Sequence, residues 1–492
     1  MKLDTSTDPQ VGYRPPGSLD PDAFERYSGH FGVRQAAHLL RRAGFGGSQA
    51  EVARLASLGV DGAVDALLHP VEPDVDLAVY PDSSELYDIH LRIKNQAAQM
   101  WWLNWMLQTR RPLVEKMALF WHGHFATSLN SAKVTAPQIV QQINLFRSEG
   151  LGNFRSLLRA VTYDPAMLVW LDNRKNVAAH PNENYARELM ELFTLGLGNY
   201  SEDDVKNAAR ALTGITLSAG RVAFRPALHD QGQKTFLGHT GNFGPDDIVD
   251  IVVTQPVHPR FLCRKLLEFF VYSDPEPELV EQLASVYATS GFEIGRTVGA
   301  IIRSNVFFSP RAYRALTKSP IEFVIGLQRY MQFPQVPLDT LTWLARMGQI
   351  PLAPKTVKGW DGGPTWINTT TMLARMNYVN EVVHAQVGTA QAATMSGTTV
   401  ELMPRFPSNL PSMLVPSAIV AAAGGTIAER VLDEVVAGVV QGDLTSELRT
   451  TLLAYLNGTR TDNPQPFGPE TFETKTRGLL ALALTLPANH LN

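Results

Sequence analysis

The chain has 492 residues, 45% of them hydrophobic and 18% charged, with a formal net charge of −4. Those proportions suit a globular protein with a sizeable core, and the lack of any Lys or Arg run removes the clustered basic surface that nucleic-acid binders use. No segment reaches the ~18 consecutive apolar residues needed to span a membrane, and a single cysteine, Cys263, forms no internal disulfide.

Residues 1–22, rich in Pro, Asp, Ser and Gly, read as a flexible lead-in. The first residues, Met1–Ser6, hold no apolar leader, so a cytoplasmic chain is expected unless a leader was removed. Short helices follow at 33–43, 48–57 and 60–68, the first stopping at Gly44-Phe45-Gly46-Gly47. That Gly cluster follows a helix and lacks a P-loop lysine, so it reads as a helix stop and not a phosphate cradle. A connector at 69–84 leads to a long helix at 85–109, and Pro112 opens another whose Leu113, Met117, Phe120 and Trp121 form an apolar stripe. Further helices are expected at 135–149, 153–171 and 182–196, and from the Ser201 cap to Gly214. The stretch 215–240 alternates apolar with small or polar residues and is expected to hold the one hairpin of the protein.

Helices resume at 246–254, 259–272, 276–289, 294–303 and 318–332, then at Leu341–Gly348 and Trp366–Asn380. Residues 388–412, low in charge and rich in Thr, Ala, Ser and Pro, suggest a loop or lid. Helices return at 416–440, 443–457 and 470–484. The fold class expected is mainly α, a large multi-helix domain over 23–385 with a minor β-hairpin element. A 386–412 loop and a C-terminal helical region over 413–492, packed on the main domain, complete it.

Three polar features stand out, and six of the 12 histidines fall between 122 and 258. In Phe120-Trp121-His122-Gly123-His124-Phe125, the two imidazoles share a side if the backbone is extended and oppose each other if the helix continues. The extended case supplies half a metal site; the helical case gives one buried and one exposed histidine. On the 182–196 helix, Tyr185, Leu189, Leu192 and Phe193 share one face, while Glu183, Asn184, Arg187, Glu188 and Glu191 form the other. That polar arc is either a solvated face with Glu183–Arg187 and Arg187–Glu191 pairs or a carboxylate wall offering ligands or a general base. Third, His229-Asp230 lies in a Gly-rich, non-helical stretch, where vicinal imidazole and carboxylate make a workable ligand pair. The turn Gly359-Trp360-Asp361-Gly362-Gly363-Pro364 brings two aromatics together, and Cys263 among apolar neighbours reads as a buried thiol.

The strings HLLRRAGFG (His38–Gly46), WHGHFATS (Trp121–Ser128), PNENYARELMELFTLG (Pro181–Gly196), VKNAARALTG (Val205–Gly214), HDQGQKTFLG (His229–Gly238) and KGWDGGPTWIN (Lys358–Asn368) carry a resemblance. Over about 30–380 the chain resembles the bacterial family known as domain of unknown function 1800. The resemblance implies no activity; it implies an exported protein, often encoded beside a sulfatase-like one, and it falls on His124, Glu183, Glu188, His229 and Asp230.

The residues themselves suggest a metal-dependent enzyme, hydrolysis ahead of redox chemistry, since no nicotinamide, flavin or haem motif is present. His122, His124, His229 and Asp230 are the candidate ligands of a divalent metal. Glu183 or Glu188 is a ligand or base, and Arg187 orients a carboxylate or anionic substrate. A small molecule or glycan is the expected substrate. The competing expectation is a non-catalytic helical scaffold or partner of a sulfatase-like protein, in which the same polar residues fix helix packing.

Overall fold

A computed structural model of the chain describes residues 23–71, 73–75, 77, 91–131, 133–218, 220–384, 391–395, 398–402, 414–439, 444–458 and 465–492. The lead-in over 1–22, the start of the long helix before Leu91 and much of 388–412 lie outside them. The fold is mainly α, as the periodicities require. Two expected helices each divide. Residues 153–171 form Phe154–Thr162 and Pro165–Trp170, because Pro165 has no N–H to continue the first and the Asp164 carboxylate caps the second at the Met167 N–H, 2.8 Å away. Residues 416–440 form Pro416–Ala422 and Ala428–Val439, parted at Gly424 and Gly425, whose φ of 75° and 126° no helix accepts.

The stretch 215–240 holds two antiparallel hairpins where one was expected. Ile215–Ser218 pairs with Arg221–Phe224, and Lys234–Phe236 with His239–Gly241. Another pair, Gln391–Met395 with Thr398–Leu402, falls within the segment read as a loop or lid.

One continuous apolar cluster runs from Ala23 to Leu484. In the C-terminal region the helix Phe472–Leu484 packs on Pro416–Ala422, Ala428–Val439 and Ser446–Leu456, and also on Thr369–Val383 of the preceding body. The segment after it returns to that body. Asn492 donates its backbone N–H to the Leu316 carbonyl at 2.7 Å, and its side-chain amide to Glu322 at 3.1 Å. Glu322 also takes the ammonium of fully buried Lys116, so the charge on each is matched inside the fold. Among the described residues, no helix is long and apolar enough to cross a membrane.

Three pieces of this scaffold meet around the Pro112–His124 helix: the helical segment 184–194, the helix His258–Phe270 and the loop Lys358–Trp366. The loop approaches so closely that a Cβ on Gly359 (φ 84°) would sit 2.2 Å from the Gly123 carbonyl oxygen. The absence of a side chain at Gly359 is what lets these backbones touch; at Gly123 a Cβ would meet nothing within 4 Å.

Candidate active site

The helix Pro112–His124 runs through both histidines of the WHGH string, so the extended reading of that pair is corrected. Two residues along a helix is about 200° of rotation, yet both rings are buried because the helix is covered on several sides. His122 lies edge-on to Trp102 and to Trp360, each with ring centroids 5.4 Å away, and neither ring nitrogen has a hydrogen-bond partner. Burial pushes its pKa down to about 3, so it is a neutral ring in the core.

His124 is different. Its Nε2–H donates to the Phe193 carbonyl at 3.0 Å, which fixes the tautomer and leaves Nδ1 as a bare acceptor. That acceptor faces Lys265 Nζ at 3.2 Å, and the same ammonium donates to the Leu192 carbonyl at 3.1 Å. Beside them His258 donates Nδ1–H to the Thr194 carbonyl at 3.1 Å, while its Nε2 accepts from the Tyr287 hydroxyl. Three successive carbonyls, Leu192, Phe193 and Thr194, are thus met by three side chains.

The cause lies in the 182–196 helix, which is not α throughout. It is α over Asn184–Glu188 and then widens to a π-turn over Leu189–Thr194, where the Leu195 N–H reaches back to the Met190 carbonyl at 2.8 Å. The last carbonyls of a helix have no partner within it, and their negative end attracts cationic and N–H donors. Lys265, His124 and His258 satisfy them. Such widened turns occur frequently at functional sites.

Lys265 stands between two cavities. The larger, about 570 Å³, is walled by Phe120, Phe269, Trp360 and Trp366 and carries Glu268, Asp274 and Asp361. The smaller, about 280 Å³, is lined by Glu191, Leu192, Gly196, Phe261 and Lys358. His124 and Lys265 line both. Burial lowers the Lys265 pKa to about 8, with Glu268 pulling the other way, and burial together with the Lys265 charge keeps His124 neutral. Glu188 is half-buried beside this region; burial and the neighbouring Glu191 carboxylate raise its pKa against the opposing charge of Lys358.

The other expected site residues lie elsewhere. Arg187 pairs with Glu202 through two bonds of 2.7 and 2.8 Å and with Glu183 at 3.1 Å, all partly exposed. The expected Arg187–Glu191 pair is absent because Glu202 holds the guanidinium, and Glu191 instead accepts from the Tyr200 hydroxyl at 3.1 Å. His229 points Nδ1 at the Thr213 carbonyl, 3.0 Å away. Asp230 receives the Arg210 guanidinium at 2.7 and 3.2 Å, which with backbone bonding lowers its pKa. Neither is among the described lining of the two cavities, and the His-Asp pair serves its loop as a brace. Among the described residues, no group of three or more His, Cys, Asp or Glu is arranged to hold a metal ion.

Sequence reasoning reached His124 and the Glu188/Glu191 wall and missed Lys265 and Lys358. A signal existed for the first. Lys265 sits four residues after Phe261 and four before Phe269, in an arc that otherwise faces inward.

Fold and site together define a mainly helical protein built round a lysine set between two cavities. The chain belongs to the family described as Protein of unknown function (DUF1800), whose model matches residues 38–490. That match runs beyond the resemblance seen at 30–380 and takes in the C-terminal helices. Neither the curated proteins nor the solved structures contain a match to it.

Proposed function

We propose that the chain is an enzyme acting on a small organic molecule in the double cavity, with Lys265 as its reacting group and His124 as the residue that positions it. The observation that carries this reading is the setting of Lys265 Nζ, at the junction of both cavities and fixed by His124 Nδ1 and the Leu192 carbonyl. A neutral primary amine has two hydrogens and one lone pair. With both hydrogens engaged, the lone pair is left for the cavity side. A desolvated lysine whose pKa falls toward neutrality is a usual form of catalytic base or nucleophile.

The test is the pH dependence of acylation at each lysine, read by mass spectrometry of the whole chain after a trace dose of acetic anhydride. Lys265 is expected to reach half-maximal reactivity near pH 8, against about 10.4 for exposed lysines. A Lys265 that titrates with the exposed lysines, or that stays inert at every pH, overturns the reading.

A specific observation favours the scaffold reading as well: the same three side chains cap the π-turn. Lys265→Met separates the two. An enzyme that holds a desolvated amine for chemistry keeps or gains stability when the amine is removed, whereas a structural cap loses about 1–2 kcal/mol. The metal reading of His122, His124, His229 and Asp230 has no side-chain grouping behind it. Stoichiometric metal in the parent, lost in both His124→Ala and Asp230→Ala, would restore it.

A further inference from the structure

The charges lining the larger cavity narrow the substrate, an inference that rests on Lys265 being the reacting group. The described lining holds one cation, Lys265, against Glu268, Asp274, Asp361 and Glu322. Glu322 is matched by Lys116, so three carboxylates remain to face an incoming molecule. Asp361 lies on the exposed loop, and Glu268 is one turn along the helix from Lys265, its pKa raised by burial and a little by Asp274 against the opposing charges of Arg264 and Lys265. Against these polar groups stand the aromatic walls of Phe120, Phe269, Trp360 and Trp366. An ionised carboxylate accepts and does not donate, so it repels an anion and accepts hydrogen bonds from hydroxyl groups, whereas a protonated one, the form burial favours at Glu268, also donates. Aromatic faces suit a compact carbon skeleton.

We propose that Lys265 condenses with a neutral, hydroxyl-bearing aldehyde or ketone to form an imine, the cavity carboxylates binding the hydroxyl groups and excluding anionic carbonyl compounds. The step is balanced within the site. The Nζ lone pair forms the C–N bond, the carbonyl π pair moves to oxygen, and a proton from nitrogen ends on that oxygen. The carbinolamine then loses its hydroxyl group as water, taking one proton from the Glu268 carboxyl. The nitrogen lone pair closes the C=N bond, and the remaining N–H proton returns to the Glu268 carboxylate. One water is released and no oxidant or reductant is consumed. His124 accepts from the amine in its free form and holds it in place for the attack.

The experiment treats the full-length protein with glycolaldehyde, or separately with pyruvate, in the presence of sodium borohydride, which reduces any imine to a stable secondary amine. Glycolaldehyde is expected to leave a hydroxyethyl group on Lys265 at least about tenfold more often than on an average exposed lysine, because far more of its amine is unprotonated at pH 7.5. Pyruvate is expected to leave little, and Asp274→Asn combined with Asp361→Asn, which leaves Glu268 in place, is expected to raise the pyruvate adduct severalfold. Lys265→Arg should abolish the preferential adduct. Hydroxyethylation spread evenly over the lysines overturns the proposal, as does pyruvate trapping that equals or exceeds glycolaldehyde in the parent. If Lys265 acylates with a midpoint near pH 8 yet traps no carbonyl compound, the imine falls and the lysine-centred enzyme stands. If it does neither, both fall.

Discussion

Burial separates residues that composition cannot. His122 and His124 are two positions apart, both buried, and their surroundings give them opposite meanings. His124 is bonded at both nitrogens, while His122 is enclosed by Trp102 and Trp360 with none. A buried polar group without a partner carries a desolvation cost of about 1–3 kcal/mol. His122→Leu is therefore expected to leave stability unchanged or to raise it by about 1–2 kcal/mol in urea unfolding; a loss beyond about 2 kcal/mol would show that the imidazole makes an essential bond. Arg210→Ala removes both bonds to Asp230, is expected to cost about 1–2 kcal/mol by loosening the His229–Asp230 loop, and should leave the Lys265 acylation midpoint unmoved. At this scale the sequence made His124 and the glutamates legible because their strings are dense in polar groups. Lys265 was not, since a lysine gains its character from what surrounds it, and that is set by helices distant in the chain.

Among the elements, the close contact between Gly359 and Gly123 ties the Lys358–Trp366 loop to the helix that carries His124. Gly359→Ala asks an L residue to hold φ near 84° with its Cβ on a carbonyl oxygen. The expected cost is about 2–4 kcal/mol from backbone strain and displacement. Because Trp360 rides on that loop beside His122, a shift in tryptophan fluorescence should accompany it. Full stability with an unchanged spectrum would mean that the two backbones are not in contact. Helix positions were readable from period and caps, and the Asp164-Pro165 break had a visible signal in its own two residues. The π-turn had none, because over a single turn the apolar spacing of α and π backbones is nearly the same.

For the whole molecule, buried neutral histidines set the response to acid. His122 is lowered to about 3, His258 and His490 to about 4, and His38 and His124 well below the ordinary value, burial being the first cause in each. An unfolded chain protonates these rings below about pH 6.5. The folded chain does not until its lower pKa is reached, so stability is fully present above about 6.5 and falls as the pH drops toward 4. Each histidine contributes a slope of about 1.4 kcal/mol per pH unit over that window. Asp164, Glu115, Glu188 and Glu268 work in the opposite sense, since burial raises their pKa values, that of Asp164 to about 7, and their protonated forms favour the fold at low pH. Against these four stand the five histidines together with carboxylates held low by ion pairs or hydrogen bonds, Glu322, Asp230 and Glu276 among them, and these win. Urea midpoints are expected to fall steeply from pH 6.5 to 4.5; a flat profile would mean that these rings are hydrated or already charged in the fold. The mainly α class was legible across the whole chain from its periodicity. The meeting of four distant segments at Lys265 was not, because local pattern says which face of a helix turns inward and nothing about which other helix it meets.

The turn at Leu189–Thr194 also makes the site sensitive to the length of this one helix. A π-turn is an α-helix carrying one residue more than its neighbours require, so it marks the place where a single codon could be removed. Deleting Leu192 should restore an α-helix and rotate everything after it by about 100° relative to what precedes. The carbonyls that now meet His124 and His258 would then face elsewhere. A chain so shortened is expected to keep its helical circular dichroism while losing the selective reactivity of Lys265.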